Sequence, residues 1–256
     1  MKFLVPMTGN GSRFIGTEFK KLKPLNKVDG KSMIEWVRTL VPDDIETIFI
    51  CREDHLNKFP EIEKIIKKLP GKNKIYIKRN WKKLGPAFEI LNCELIDDDD
   101  EVIVSYCDYF MIWDYKKFYK TLKQLKPDGA IPCYSGFHPH LLNKDNYYAS
   151  CKTTNKDFLI EIREKHQFSD NKMQEMYSPG IYYFKSGQLM KHYIKEMISN
   201  NDNINGEYYL SLPYQYMKKD GLNIWCPKIV DYFCQWGTPN DLREYIYWNN
   251  ILGKWK

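Results

Sequence analysis

The feature that most restricts how this chain can fold is an alternation over its first 110 residues. Short apolar runs of strand length are separated by segments with helical spacing, with glycine or proline at several of the joints. Residues 2–7 form an apolar run that ends at Thr8-Gly9-Asn10-Gly11, which reads as a buried strand entering a glycine turn. Residues 31–40 carry Met33, Ile34, Trp36, Val37 and Leu40 near helical spacing. A strand is predicted over 46–51 and a helix over 57–69, stopped at Pro70-Gly71. A third strand follows at 75–77, then a helix over 86–95 with Pro86 in its first turn. The acidic run 97–101 is a turn before a fourth strand at 102–104. This rhythm predicts a mainly parallel α/β sheet with helices on both faces.

Beyond residue 110 the rhythm changes. Residues 113–125 read as a helix and 129–133 as a strand. The runs 147–151, 158–162 and 180–184 read as strands of a smaller, partly antiparallel region. Helices are expected over 186–198, 207–218 and 241–252, and late strands at 224–226 and 230–233. There is no internal repeat and no low-complexity linker. The expectation is a single mixed α/β domain over 1–256, with 1–110 as one half and 111–256, including the C-terminal helix, as the other.

Composition narrows the function classes. A chain of 256 residues hides roughly 73% of its unfolded surface on folding, enough for a substantial core. No run approaches the ~18 apolar residues of a membrane span, and residues 1–6 lack the apolar core and cleavage site of a signal peptide. The seven cysteines are odd in number and show no C-x-x-C spacing. They are expected to be buried reduced thiols of a cytoplasmic protein, without a zinc site. The net charge of +6 suits solvated surface lysines plus a few that meet a phosphate-bearing substrate. With no nucleic-acid-binding signature among its aromatics, neither a nucleic acid nor a membrane is expected as a partner.

The turn Gly9-Asn10-Gly11-Ser12-Arg13 is the first chemical signal. Its glycines let backbone N–H groups approach a phosphate, and Arg13 can reach phosphate oxygens with a planar fork. By itself it is equally well a tight turn with an exposed arginine. It is not a dinucleotide fingerprint, because the third glycine would fall at Phe14. Nor is Gly30-Lys31-Ser32 a Walker loop, because Leu25 stands where the upstream glycine belongs.

The stretch that follows raises the specificity. Lys23-Pro24 and then Gly30-Lys31-Ser32-Met33-Ile34 come after the turn in the order G-x-G-[ST]-R, K-P, G-K-[PS]-[ML]-[IL]. In this the chain resembles the sugar-phosphate nucleotidylyltransferases and their cytidylyltransferase relatives, which have a GT-A-like (Rossmann-like) fold. The likeness continues at Leu84-Gly85-Pro86-Ala87, at the strand before Asp108, at Glu164-Lys165, at Gly180-Ile181-Tyr182-Tyr183-Phe184, at Gly206-Glu207-Tyr208 and at Gln235-Trp236-Gly237-Thr238-Pro239. The stretches Gly136-Phe137-His138-Pro139-His140 and Trp236-Gly237-Thr238-Pro239 resemble a branch found in capsule and surface-polysaccharide gene clusters.

The resemblance implies a nucleotide-binding first half and an acceptor-binding second half. It implies that Met7, Thr8, Gly9, Asn10, Gly11, Ser12, Asn80, Gly85 and Pro86 bind the nucleotide, with Asn80 where pyrimidine-using relatives carry a base-reading glutamine. Arg13 and Lys23 would neutralise the triphosphate and Asp108 would hold Mg2+. Glu164, Lys165 and Gly180 would meet the acceptor, with Lys165 on its phosphate. His138 and His140 read as an exposed pair or as a phosphate contact on the acceptor side rather than a chelate, which would need a third ligand. Trp236 and Tyr182 read as core aromatics. Two departures stand out. Gln235 occupies the place of a second metal aspartate, offering an amide oxygen without charge. Glu164-Lys165-His166 lacks the proline that often follows.

The implied activity is transfer of a nucleoside monophosphate from a nucleoside triphosphate to a phosphorylated small molecule, with release of pyrophosphate. CTP is slightly favoured among pyrimidine triphosphates, and monomer and homodimer are both open. Two other readings are a GT-A glycosyltransferase, disfavoured by the single carboxylate at Cys107-Asp108-Tyr109-Phe110, and an inactive nucleotide-binding protein.

Overall fold

The computed structural model describes residues 1–19 and 21–253. The chain opens with β1 (Lys2–Pro6), whose residues Phe3 to Val5 are fully buried. A two-strand hairpin, β2 (Lys27–Val28) and β3 (Lys31–Ser32), feeds α1 (Met33–Arg38). The hairpin turns through Asp29 and Gly30, both at positive φ, as its tight connection requires. The Ser32 amide donates to Glu35 Oε2 at 2.6 Å and closes the N-terminus of α1. Next come β4 (Glu46–Arg52), α2 (Glu53–Lys58), α3 (Glu61–Lys68), β5 (Asn73–Lys78) and α4 (Pro86–Leu91). The helix expected over 57–69 is two helices broken at Phe59-Pro60, because a helix-interior proline removes one hydrogen bond and clashes with the preceding turn.

Strand β6 (Val102–Ser105) is buried at every position; burying each apolar side chain contributes roughly 1.5–3 kcal/mol. It is followed by β7 (Tyr109–Trp113) and α5 (Tyr115–Leu125). The segment ahead of residue 115 is thus a strand, and the helix expected from 113 begins two residues later. There Asp114 caps it by accepting from the Lys117 amide at 2.9 Å. The second half adds β8 (Gly129–Ala130), β9 (Ser150–Thr153), β10 (Leu159–Arg163), β11 (Met176–Tyr177), β12 (Ile181–Phe184) and α6 (Gly187–Ser199). It ends with α7 (Pro213–Lys219), β13 (Ile224–Trp225), β14 (Val230–Gln235) and α8 (Pro239–Gly253). The helix expected over 207–218 begins only at Pro213, which suits the first helical turn.

Seven strands form the central sheet in the order β13-β8-β12-β6-β1-β4-β5. Strand β12 alone is antiparallel to its neighbours β6 and β8; the other pairings are parallel. From β1 the order runs outward to β4 and β5 on one side and to β6 on the other. The crevice beyond the carboxyl ends of β1 and β6 is therefore a topological switch point, where α/β sheets bind ligands. One core packs Phe3, Val5 and Phe49 with α1, α3 and α5, and the other packs Leu4 and Ile48 with α4, α6 and α7. Two smaller sheets, β10-β9-β11 and β14-β7, border the crevice. A third cluster of Phe14, Met33, Trp236 and Leu242 ties the glycine turn to the end of β14 and to α8. The cysteines are free thiols, all buried except the half-buried Cys107. Among the described residues no helix is long and apolar enough to cross a membrane.

Candidate active site

A cavity of about 430 Å3 fills the switch point. The turn after β1 forms its floor. Gly11 sits in the left-handed region at φ +61° and starts a short 3-10 turn over Ser12–Phe14, closed by the Phe14 amide on the Gly11 carbonyl at 2.8 Å. Burial of Phe14 anchors this turn, so Ser12 and Arg13 project outward as exposed cavity-lining side chains. Met7, Thr8, Gly9 and Asn10 line the same floor. The Asn10 side chain is held by Arg52, whose guanidinium lies 3.9 Å from the centroid of the Trp81 ring.

Lys23, which packs against Gly11 of this turn, is ion-paired with Asp108 in the link between β6 and β7. The Trp236 amide donates to the Asp108 carbonyl at 3.1 Å, and a Cβ built on Gly237 would lie 3.2 Å from Asp108 Oδ2. The end of β14 is thereby packed against this carboxylate. Gln235 accepts a hydrogen bond from the Tyr148 hydroxyl through Oε1 and donates from Nε2 to Asp241 Oδ1 at 2.8 Å. Burial, with Asp241 and Asp108 nearby, pushes the Tyr148 phenol well above its ordinary pKa, so it stays a donor. Burial also raises the Asp241 carboxyl, an effect opposed by its hydrogen bond from Thr238.

The far wall carries Glu164 and Lys165. Lys165 adopts φ +52° and donates from Nζ to the Tyr209 hydroxyl at 2.7 Å. A non-glycine residue in the left-handed region is uncommon and costs roughly 1–2 kcal/mol. Burial raises the Glu164 carboxyl to about 7, against the opposing hydrogen bond from Ser211 at 2.5 Å. Gly180, at φ +107°, lets the Tyr106 ring come within 2.6 Å of where a Cβ would stand. On the opposite rim Gly85 and Pro86 open α4, and Gly85 packs directly on the backbone of Tyr208.

The cavity is lined by four cationic side chains (Arg13, Lys23, Lys83, Lys165) and four carboxylic ones (Asp108, Glu164, Glu207, Asp241). Asp108 and the Gln235 amide oxygen are the hard oxygen donors that Mg2+ prefers. Among the described residues no group of three or more histidines, cysteines or carboxylates could hold a metal alone. Water or phosphate oxygens would complete the shell of an ion held there.

Three expected site residues lie elsewhere. Asn80 is exposed and outside the cavity lining, while its neighbour Trp81 lines it. His138 and His140 are not exposed: they are 3% and 6% accessible, packed around Tyr134. The His140 Nε2 shares a hydrogen bond with the Tyr134 hydroxyl at 2.8 Å. Burial, then His138, lowers the His140 pKa to about 3, so it is neutral and cannot serve as a cationic phosphate contact. His140 instead buttresses Tyr148, whose ring lies 4.8 Å away, while His138 packs against Tyr134 and Tyr232. Trp236 is a core aromatic, whereas Tyr182 is both buried and part of the cavity wall. Trp81, Tyr148, Tyr209 and Asp241 also line the cavity, with no motif in the sequence to mark them as a group. Asp241 had one local signal, its place three residues after Thr238 at a helix start.

A family model described as nucleotidyl transferase matches residues 4–248. The Bifunctional protein GlmU of Clostridioides difficile (strain 630) is 25% identical over 244 residues, covering 87% of this chain and 45% of that protein. The chain thus spans less than half the length of this curated relative. The nucleoside-diphosphate-sugar pyrophosphorylase of Vibrio cholerae RC9 superposes with a TM-score of 0.75 at 18% identity, over 96% of this chain and 99% of that one. The inositol-1-phosphate CTP transferase of T. maritima superposes with a TM-score of 0.66 at 13% identity, over 95% and 93%. At these identities the structural likeness is one of fold.

Proposed function

The chain belongs to the nucleotidyl transferase family, and we propose that it transfers a nucleoside monophosphate from a nucleoside triphosphate to a phosphorylated small molecule. The observation that carries this reading is the arrangement of cations in one cleft. Arg13 is exposed on the glycine turn, Lys23 packs against Gly11 of that turn and pairs with Asp108, and Lys165 lines the same cavity. An acceptor phosphate oxygen attacks the α-phosphorus as the bond to the β-phosphate bridging oxygen breaks. The electron pair leaves with pyrophosphate, and no covalent enzyme intermediate forms.

Catalysis on this reading is positioning plus charge neutralisation. Backbone amides of residues 9–12 and Arg13 hold the triphosphate, Lys23 neutralises charge on the leaving group, and Lys165 holds the acceptor phosphate. Asp108 and Gln235 would hold Mg2+, which when bound draws charge from the phosphate oxygens. The acceptor is a sugar phosphate or another small phosphorylated metabolite, made for capsule or surface-polysaccharide precursors in the cytoplasm. The base is a pyrimidine, with CTP first. The cytidylyltransferase-like motifs, and the shared fold of the T. maritima inositol-1-phosphate CTP transferase, support that choice.

The test is pyrophosphate release with each common triphosphate, Mg2+ and a panel of phosphorylated acceptors. Consumption of a nucleotide sugar without pyrophosphate from any pair would overturn the reading in favour of glycosyl transfer. Asp108→Asn is expected to lower kcat on the order of 100-fold or more, as loss of a preorganised charge does. For the base, a ligand at 100 times its Kd stabilises the fold by about 2.7 kcal/mol. The largest thermal shift is expected with CTP, and a larger one with ATP or GTP refutes the pyrimidine choice.

A further inference from the structure

Among the described residues, Asp241 is the cavity-lining carboxylate bonded to Gln235. Its Oδ2 accepts from Thr238 Oγ1 at 2.6 Å, and its amide donates back to the same oxygen at 3.2 Å, so its position at the start of α8 is fixed. The Gln235 amide donates its NH2 to the Asp241 carboxylate and accepts from the Tyr148 hydroxyl through its oxygen, and all three residues line the cavity. Tyr148 takes one lone pair of that oxygen and leaves the other free. Thr238, Asp241 and Gln235 thus form a chain that fixes a neutral oxygen on the cavity lining, with a carboxylate bonded to the same amide.

We propose that Asp241 is a positioning residue that orients the Gln235 amide oxygen and supplies the second negative charge of the divalent-cation site. The inference rests on the metal-assisted reading given above. Gln235 alone is a weak ligand for a hard cation, and Asp241 behind it raises the electron density on the oxygen and offsets the ion's charge. Outer partners of this kind commonly change metal affinity 10–100-fold.

The experiment titrates Mn2+ into the full chain with inorganic tripolyphosphate, reading free Mn2+ by electron paramagnetic resonance. D241N is expected to weaken Mn2+ binding by about 10–100-fold. Q235E/D241N exchanges carboxylate and amide across the same contact at unchanged side-chain lengths, and is expected to regain wild-type affinity. If D241N fails to fold, Q235L leaves Asp241 in place without its relay and is expected to show the same loss. A residue that only caps α8 would change Tm and leave Mn2+ affinity alone. Wild-type affinity in D241N or Q235L, or a folded Q235E/D241N that stays weak, overturns the proposal. A wild-type chain that binds no Mn2+ with tripolyphosphate instead overturns the metal reading beneath it.

Discussion

Gly85 offers the sharpest test of how the fold builds the cleft. It sits at φ 90° and ψ 167°, a region open essentially to glycine alone, and it opens α4. A Cβ there would lie 2.6 Å from the Tyr208 amide nitrogen and 2.8 Å from its carbonyl oxygen. Both atoms are already engaged: the Tyr208 amide donates to Leu84 at 2.8 Å, and the Ala87 amide donates to the Tyr208 carbonyl at 3.1 Å. In G85A the backbone conformation costs about 1–3 kcal/mol. Separating the two segments sacrifices at least one hydrogen bond, roughly 0.5–1.5 kcal/mol more. For a chain of this size that lowers Tm by roughly 3–18 °C. Because Gly85 and Pro86 line the cleft, KM for the triphosphate should rise while that for the acceptor holds. For Tm alone G9A is the internal control, since a Cβ on Gly9 meets nothing within 4 Å and its φ is not positive. Calorimetry on both variants and steady-state kinetics on G85A decide the matter. A G85A protein whose Tm stays within about 2 °C of wild type, with unchanged triphosphate KM, refutes the reasoning.

Three further outcomes are expected. K165M removes the cation on the far wall, and loss of a charged hydrogen bond, about 1.5–3 kcal/mol, should raise acceptor KM roughly 10–100-fold in initial-rate assays without altering triphosphate KM. Glu164 has a folded pKa raised to about 7 from 4.5, so the folded state holds its proton longer. Stability therefore falls as pH rises from 4.5 to about 7, by about 3 kcal/mol at most, and is flat above. Denaturant titrations should show E164Q without this slope. His140 has a folded pKa lowered to about 3 from 6.5, so its contribution is present above 6.5 and is lost as pH falls toward 3. H140F should soften that acid limb while losing the Tyr134 bond, at about 1–3 kcal/mol in chemical denaturation at pH 7.5.

The strand–helix alternation of the first half, the glycine turn with Arg13, and Asp108 after a buried strand are legible in the amino-acid order. Each is a local signal, carried by side-chain periodicity, by glycine and proline, or by motif order. Local signals also set the limits. The aromatic run Tyr109–Trp113 has no period that separates strand from helix. It is a strand because β14, more than a hundred residues later, pairs with it. His138 and His140 look polar and exposed in the sequence, and only the packing of Tyr134, Tyr148 and Phe233 removes them from water. In the glycine turn, Gly11 needs the left-handed region and Gly9 does not. The pairing of β7 with β14 and the seating of α8 also decided that Gln235 and Asp241 meet beside Asp108. Tertiary structure alone settled this, because a site at a switch point is made of strand ends and loops from distant parts of the chain, and their convergence leaves no periodic trace in any one of them.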